Sequence, residues 1–175
     1  RYASYLIIRY DPKNRINFLK SKFRKLNYKN LNKLNLQTPK ISDFSAKIAR
    51  VNKVRQILKK FQINFSNKYK NCCIEGRDIA TKILPESDIK FFFKCNINIA
   101  SKRRYKELKK LRKKVKFKDI LKNLKRRDLE DRSRRHSKLK KTKDSILINT
   151  TNLSIRESFL KVKKIMDKKL KNIWY

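Results

Sequence analysis

Asn71-Cys72-Cys73-Ile74-Glu75-Gly76-Arg77-Asp78-Ile79-Ala80-Thr81, with Leu84-Pro85 just beyond, is the stretch whose reading organises the rest of the chain. Its first five residues form the compact apolar run expected of a buried parallel strand. The run stops at Gly76, the only glycine among 175 residues. Around that glycine stand an acid, Glu75, an arginine, Arg77, and a second acid, Asp78. Open α/β sheets bind ligands beyond the carboxyl ends of their parallel strands. At such a corner a guanidinium can fork onto a phosphate, and a carboxylate can accept hydrogen bonds from an exocyclic amine. From spacing alone, a surface turn holding a local ion pair reads equally well.

Working outward, two more apolar runs read as strands: Ile89–Cys95, flanked by Pro85 and Asn96, and Ser145–Asn149. Helices are predicted over 97–114 and from Phe117 to about Arg134, and Ser154 is placed to cap a last helix striped by Ile155, Phe159, Val162 and Ile165. Upstream, residues 1–10 read as a short amphipathic helix with Tyr5, Leu6 and Ile8 apolar, and 13–25 as a basic helix. The Asn-rich segment 26–40 reads as short strands or loop. Ser42 is placed to cap a helix through Ile48, and a further helix runs over 52–65 with Val54, Ile57, Leu58 and Phe61 on one face. Short buried strands separated by helices predict an α/β fold with a parallel sheet flanked by helices. Three strands are few for such a sheet, so neighbouring strands are expected to be missing.

The charge is extreme, with 52 Lys and Arg against 14 Asp and Glu, a formal net of +38. Such a field attracts polyanions, and a basic RNA-binding or ribosome-associated protein is one reading of it. The cations, however, occupy ordinary solvent positions on every predicted helix. That spread matches a biased composition better than a dedicated binding face. The apolar fraction of 39% and aromatic fraction of 10% suffice for a core and argue against disorder. Cys72, Cys73 and Cys95 form no C-x-x-C arrangement, and His136 lies far from them. They read as reduced thiols buried in strands, not as metal ligands. No signal peptide is recognisable, and no apolar run approaches the roughly 20 residues of a membrane helix.

The run Glu75-Gly76-Arg77-Asp78-Ile79-x-Thr81 with a following proline resembles the signature of bacterial cytidylate kinases. Further similarities follow in order: Ile89–Phe93 to a strand of that family, Ala100–Tyr105 to its Arg-Arg helix, Arg127–Arg134 to its Arg-Asp-x-x-Asp-Arg-x-Arg lid, and Ile148–Ile155 to its closing segment. Upstream, Leu36–Ser42 and Val54-Arg55 are similar to two more family stretches. The resemblance implies a P-loop nucleoside-monophosphate-kinase-like single domain over 1–175, with a nucleotide-binding insert near 25–66 and a lid near 115–141. It implies transfer of the γ-phosphoryl group of ATP to CMP or dCMP with Mg²⁺, by a monomer in the cytoplasm that acts on neither membranes nor nucleic acid. By match to family positions, Arg1 and Arg77 meet the acceptor phosphate at a corner that includes Glu75, while Arg55 and Asp78 read the cytosine edge. Arg127 and Arg134 swing over the transferring phosphoryl group, and Asp131 orients the lid or the acceptor ribose.

Departures from the family pattern are Gln37 for an arginine, Ala46 for a serine (with Ser45 adjacent), Glu130 for an arginine and Asn149 for an aspartate. Gln37 and Ala46 leave open a related nucleotide kinase with another acceptor. The largest departure is the phosphate loop. A G-x-x-x-x-G-K-[ST] motif needs two glycines so that backbone N–H groups can cradle phosphate. One glycine cannot make it, so these residues are expected to lack the first strand of the sheet, the loop after it, and turnover of their own.

Overall fold

The computed structural model describes residues 1–36, 38–69, 71–111, 114–133 and 137–174. They form two compact units, Arg1–Ile74 and Glu75–Tyr175.

The first unit is helical. Helix α1 (Tyr2–Tyr10) buries Ala3, Ser4, Leu6 and Ile7. These stand at the i, i+3, i+4 spacing of one helical face, so the buried stripe lies one step away from the Tyr5-Leu6-Ile8 stripe expected from sequence. The helix ends at Asp11, whose φ of 34° is left-handed, and Pro12 follows. Helix α2 (Arg15–Arg24) is capped by Asn14, whose side-chain oxygen accepts from the Asn17 N–H at 3.1 Å. Among the described residues of 26–40 no strand forms, and Tyr28–Lys33 is instead a tight helical turn. Helix α3 (Pro39–Ile48) begins before the expected Ser42. Thr38 Oγ1 accepts from the Ile41 N–H at 3.3 Å, and Pro39 occupies the first turn, where a missing N–H has no partner to lose. Helix α4 (Asn52–Lys68) runs three residues past the expected end.

One apolar core holds these helices. Leu19 (0% exposed), Leu6, Ile7, Phe23 and Val54 are buried together. Phe23 meets Tyr2 and Phe61 edge-on, at centroid separations of 5.7 and 5.4 Å. The buried Ser4 hydroxyl is satisfied by Ser45 Oγ at 2.8 Å, and Ser45 in turn donates to the Ile41 carbonyl at 2.6 Å. A buried hydroxyl without such a partner would be destabilising.

The second unit carries a two-stranded parallel sheet. Strand β1 (Phe91–Lys94) pairs with β2 (Ile146–Asn149) in the register Phe91↔Ile146 to Lys94↔Asn149. Helix α5 (Ile97–Lys110) starts at Asn96, whose side-chain oxygen accepts from the N–H groups of Asn98 and Ile99 at 2.9 and 3.4 Å. Helix α6 (Phe117–Ser133) packs against α5, with Tyr105 and Phe117 edge-to-face at 6.0 Å. Helix α7 (Ile155–Trp174) opens with a capping box. The Glu157 N–H donates to Ser154 Oγ at 3.2 Å, and the Ser154 N–H donates to Glu157 Oε2 at 2.7 Å. The Ser154 N–H first, and the Ser154 hydroxyl second, hold the Glu157 carboxyl below its ordinary range. The apolar stripe of α7 is largely open, with Ile155 91% and Phe159 64% exposed.

One expected strand is absent. Residues 71–76 are irregular, and among the described residues β1 and β2 pair only with each other. Apolar composition alone cannot make a strand, because its N–H and C=O groups need a ladder partner. Accordingly Cys72 and Cys73 are exposed, not buried, and Cys95, just past β1, is half-buried.

Lys90 donates to Asp144 just ahead of the paired strands, and with the Thr142 hydroxyl it lowers the Asp144 carboxyl from 3.8 to about 2. A carboxyl depressed by folding stabilises the native state above its unfolded pKa and loses that contribution as pH falls through the folded value. Acid unfolding of the second unit is therefore expected to steepen between about pH 4 and pH 2, and Asp144→Asn should flatten that limb in a circular-dichroism titration. A variant that unfolds like the parent would exclude the pair as its source.

Candidate functional site

The corner singled out in the sequence is built at the start of the second unit. A Cβ at Gly76 would lie 2.8 Å from Ile79 Cγ1, so any larger residue there forces the Ile79 side chain to shift. The chain then makes a wide turn over Ile79–Ile83, closed by Ile83 N–H to the Asp78 carbonyl at 3.2 Å and Leu84 N–H to the Ile79 carbonyl at 2.8 Å. Both bonds span five residues, the π-type spacing that recurs at functional sites. Asp78 is buried at the start of this turn, and Glu75 and Arg77 are exposed.

Arg77 crosses to α6, where its Nε lies 3.0 Å from Asp131 Oδ2; the side chains are 51% and 16% exposed, respectively. Two residues 54 positions apart, each singled out from sequence, are thus brought together. Arg127 is exposed on α6, one helical turn before Asp131. The same helix carries Arg126–Glu130 at 3.1 Å and Arg132–Asp128 at 3.0 Å, so Glu130 holds a neighbouring arginine where the family pattern has a cation. Arg134, Gln37 and His136 lie outside the described residues.

Arg1 and Arg55 belong to the first unit. Arg1 Nη1 donates to the Leu36 carbonyl at 3.4 Å, and Arg55 Nη1 donates to the Ala49 carbonyl at 3.3 Å. Leu36 precedes α3 and Ala49 is its C-cap, so Arg55 sits where a cation suits the helix dipole. Ala46 is exposed, and the neighbouring Ser45 is already bonded to Ser4 and Ile41.

A further organiser was not singled out as a site residue. Arg103 on α5 donates through Nη2 to the carbonyls of Thr150 at 2.8 Å, Thr151 at 3.3 Å and Leu153 at 2.8 Å. Its Nη1 reaches Thr150 Oγ1 and Cys95 Sγ, both at 3.5 Å. Beside it the Asn96 N–H donates to Thr151 Oγ1 at 2.9 Å, and Asn149 Oδ1 accepts from the Thr151 N–H at 3.1 Å and from Thr151 Oγ1 at 2.7 Å. Both bonds use an oxygen acceptor, which explains how asparagine serves where the family pattern has aspartate. The carboxyl ends of β1 and β2 are thereby fixed. Arg103→Met is expected to destabilise the unit by about 1 kcal/mol in urea denaturation. Arg103→Lys should recover less than half of that, because an ammonium lacks the fork; full recovery by lysine would mean that charge alone matters.

The cytidylate kinase family profile matches residues 6–168. The chain belongs to the cytidylate kinase family. It is 40% identical over 133 residues to the cytidylate kinase of Clostridium botulinum (strain Okra / Type B1), covering 76% of this chain and 61% of that protein. Against the cytidylate kinase of Thermosipho melanesiensis it is 39% identical over 136 residues, 78% of this chain and 62% of that protein. Against that of Bartonella henselae it is 36% identical over 136 residues, 78% of this chain and 63% of that protein. The chain therefore spans about three fifths of the length of these curated cytidylate kinases. The helix-rich second unit with its small parallel sheet accords with the α/β fold of the family. No helix among the described residues is long and apolar enough to cross a membrane.

Proposed function

We propose that this chain supplies acceptor-binding and lid residues for transfer of the γ-phosphoryl group of ATP to CMP or dCMP, giving CDP or dCDP. The observation that supports this reading is the Arg77–Asp131 contact, which links the Glu-Gly-Arg-Asp corner to the helix bearing Arg127. Phosphoryl transfer asks the protein for positioning and charge stabilisation, with no covalent residue. Arg77, half-exposed, is available to fork onto the acceptor phosphate once nucleotide competes for it with Asp131. Asp131, released, can orient the acceptor ribose or the lid. Arg127 and Arg134, on the lid segment, neutralise charge on the transferring group. Arg1, Arg55, Glu75 and Asp78 keep the acceptor-binding roles of their matched family positions.

Mg²⁺ accompanies the nucleotide in this reading. Among the described residues no group of three or more His, Cys, Asp or Glu could cage an ion. Carried on phosphate oxygens with its own waters, the cation would supply neutralisation of developing charge.

The 175 residues contain one glycine, so the assay supplies the phosphate loop by joining the chain behind a P-loop strand–helix segment. ADP formation that depends on added CMP, with UMP and AMP poorer acceptors, is the expected result. Equal ATP consumption with and without CMP would remove the proposal.

A further inference from the structure

Nucleic acid is set aside on sequence grounds because the cations are spread over every helix. The two units differ in their carboxylates: 2 stand against 19 Lys and Arg in residues 1–74, and 12 against 33 in residues 75–175. In the second unit carboxylates accompany the cations, in the pairs Arg77–Asp131, Lys90–Asp144, Arg104–Glu107, Arg126–Glu130 and Arg132–Asp128. In the first unit the only carboxylates are Asp11 and Asp43. Asp11 lies 3.4 Å from Arg15, and both acids border one open groove with Arg15, Lys40 and Lys47. The rest of that unit's surface carries Lys and Arg with no acid among them.

Aromatic rings stand among those cations. Tyr10, at the end of α1, is 53% exposed. The Arg9 guanidinium lies 5.7 Å and Lys22 Nζ 5.5 Å from its ring centroid. Phe18 tilts against Tyr10 at 5.8 Å, and Lys22 Nζ also lies 5.4 Å from the Phe18 ring. Lys20 and Arg24 are exposed on the same helix as Lys22. Cations that track phosphates beside a half-exposed ring, on which a base can stack by displacing a cation from its face, are the two parts of a sequence-tolerant single-strand binding surface.

We propose that the first unit binds single-stranded nucleic acid without sequence preference, through Tyr10 and the cations of α2, separately from any nucleotide turnover. The shared chemistry is the phosphodiester backbone with an unstacked base, so RNA and DNA single strands are both expected to bind.

The test is fluorescence anisotropy of a labelled oligouridylate and the matching oligothymidylate, titrated with the full chain over about 50–200 mM salt. Log affinity should fall linearly with log salt, at about −0.7 per phosphate neutralised. Lys20→Gln/Lys22→Gln/Arg24→Gln should make that slope shallower by about 2. Tyr10→Leu should cost about tenfold in affinity with the slope unchanged. Lys163→Gln/Lys164→Gln/Lys168→Gln on α7 removes the same charge elsewhere and should have the smaller effect. Equal losses from the α2 and α7 triple variants, with Tyr10→Leu neutral, would mean diffuse attraction and overturn the proposal. So would absence of saturable binding at the lowest salt, or capture by phosphatidylglycerol vesicles that neither oligonucleotide displaces. Circular dichroism of each variant verifies that the fold is intact.

Discussion

Arg77→Ala, in the chain completed with a P-loop segment, is expected to lower kcat/KM for CMP about a hundredfold while leaving thermal unfolding nearly unchanged. The asymmetry follows from exposure. The Arg77 side chain is 51% exposed and Asp131, which keeps a further partner, is 16% exposed, and an ion pair with one partner half open to solvent contributes about 1 kcal/mol. On a phosphate the same guanidinium makes charge-assisted bonds worth about 1.5–3 kcal/mol each, and each 1.4 kcal/mol is about a factor of ten. Arg77→Lys should recover only part of the loss, because an ammonium cannot present a planar fork. A variant that unfolds several degrees early but keeps its kcat/KM would make Arg77 a structural residue and remove the corner from the acceptor site.

The largest effect on stability is expected at Leu19→Ala. Leu19 is 0% exposed in the single core of the first unit, among Leu6, Ile7, Phe23 and Val54. Removing three carbons from a closed core costs about 3 kcal/mol, through lost transfer energy and the cavity left behind. Domains are stable by only about 5–15 kcal/mol, so the loss should move the urea midpoint visibly. Lys20→Ala, one residue on and exposed, should change it by less than about 0.5 kcal/mol. Similar shifts for both would mean that α2 is not anchored by Leu19.

Helices α4 and α7 were legible because an apolar stripe, and for α7 the Ser154 cap, are local signals, and β1 and β2 because short apolar runs end at Asn96 and Thr150. The start of α3 was misplaced because Thr38-Pro39 looks like a break, whereas proline in a first turn is compatible with helix. The strand expected at 71–75 failed for the opposite reason: its composition is local but its pairing is not. At the site, spacing alone could not join Arg77 to Asp131; the order of family motifs singled out both residues. Arg103 escaped because it stands between Lys102 and Arg104 in a uniformly basic stretch. The signal that distinguishes it is its distance from the Asn96 cap: two turns on, a long side chain can fold back over the strand ends.

The parallel pairing of β1 and β2 also sets the tempo at which the sheet exchanges its amide protons. The Ile146 N–H donates to the Lys90 carbonyl and the Thr150 N–H to that of Lys94, each at 2.8 Å. Successive residues of a strand present their N–H groups to opposite sides, so Leu147 and Asn149 direct theirs away from β1. Among the described residues no further strand lies there to receive them. Deuterium should therefore enter this strand at every second residue, giving one short segment two clocks, one slow and one fast.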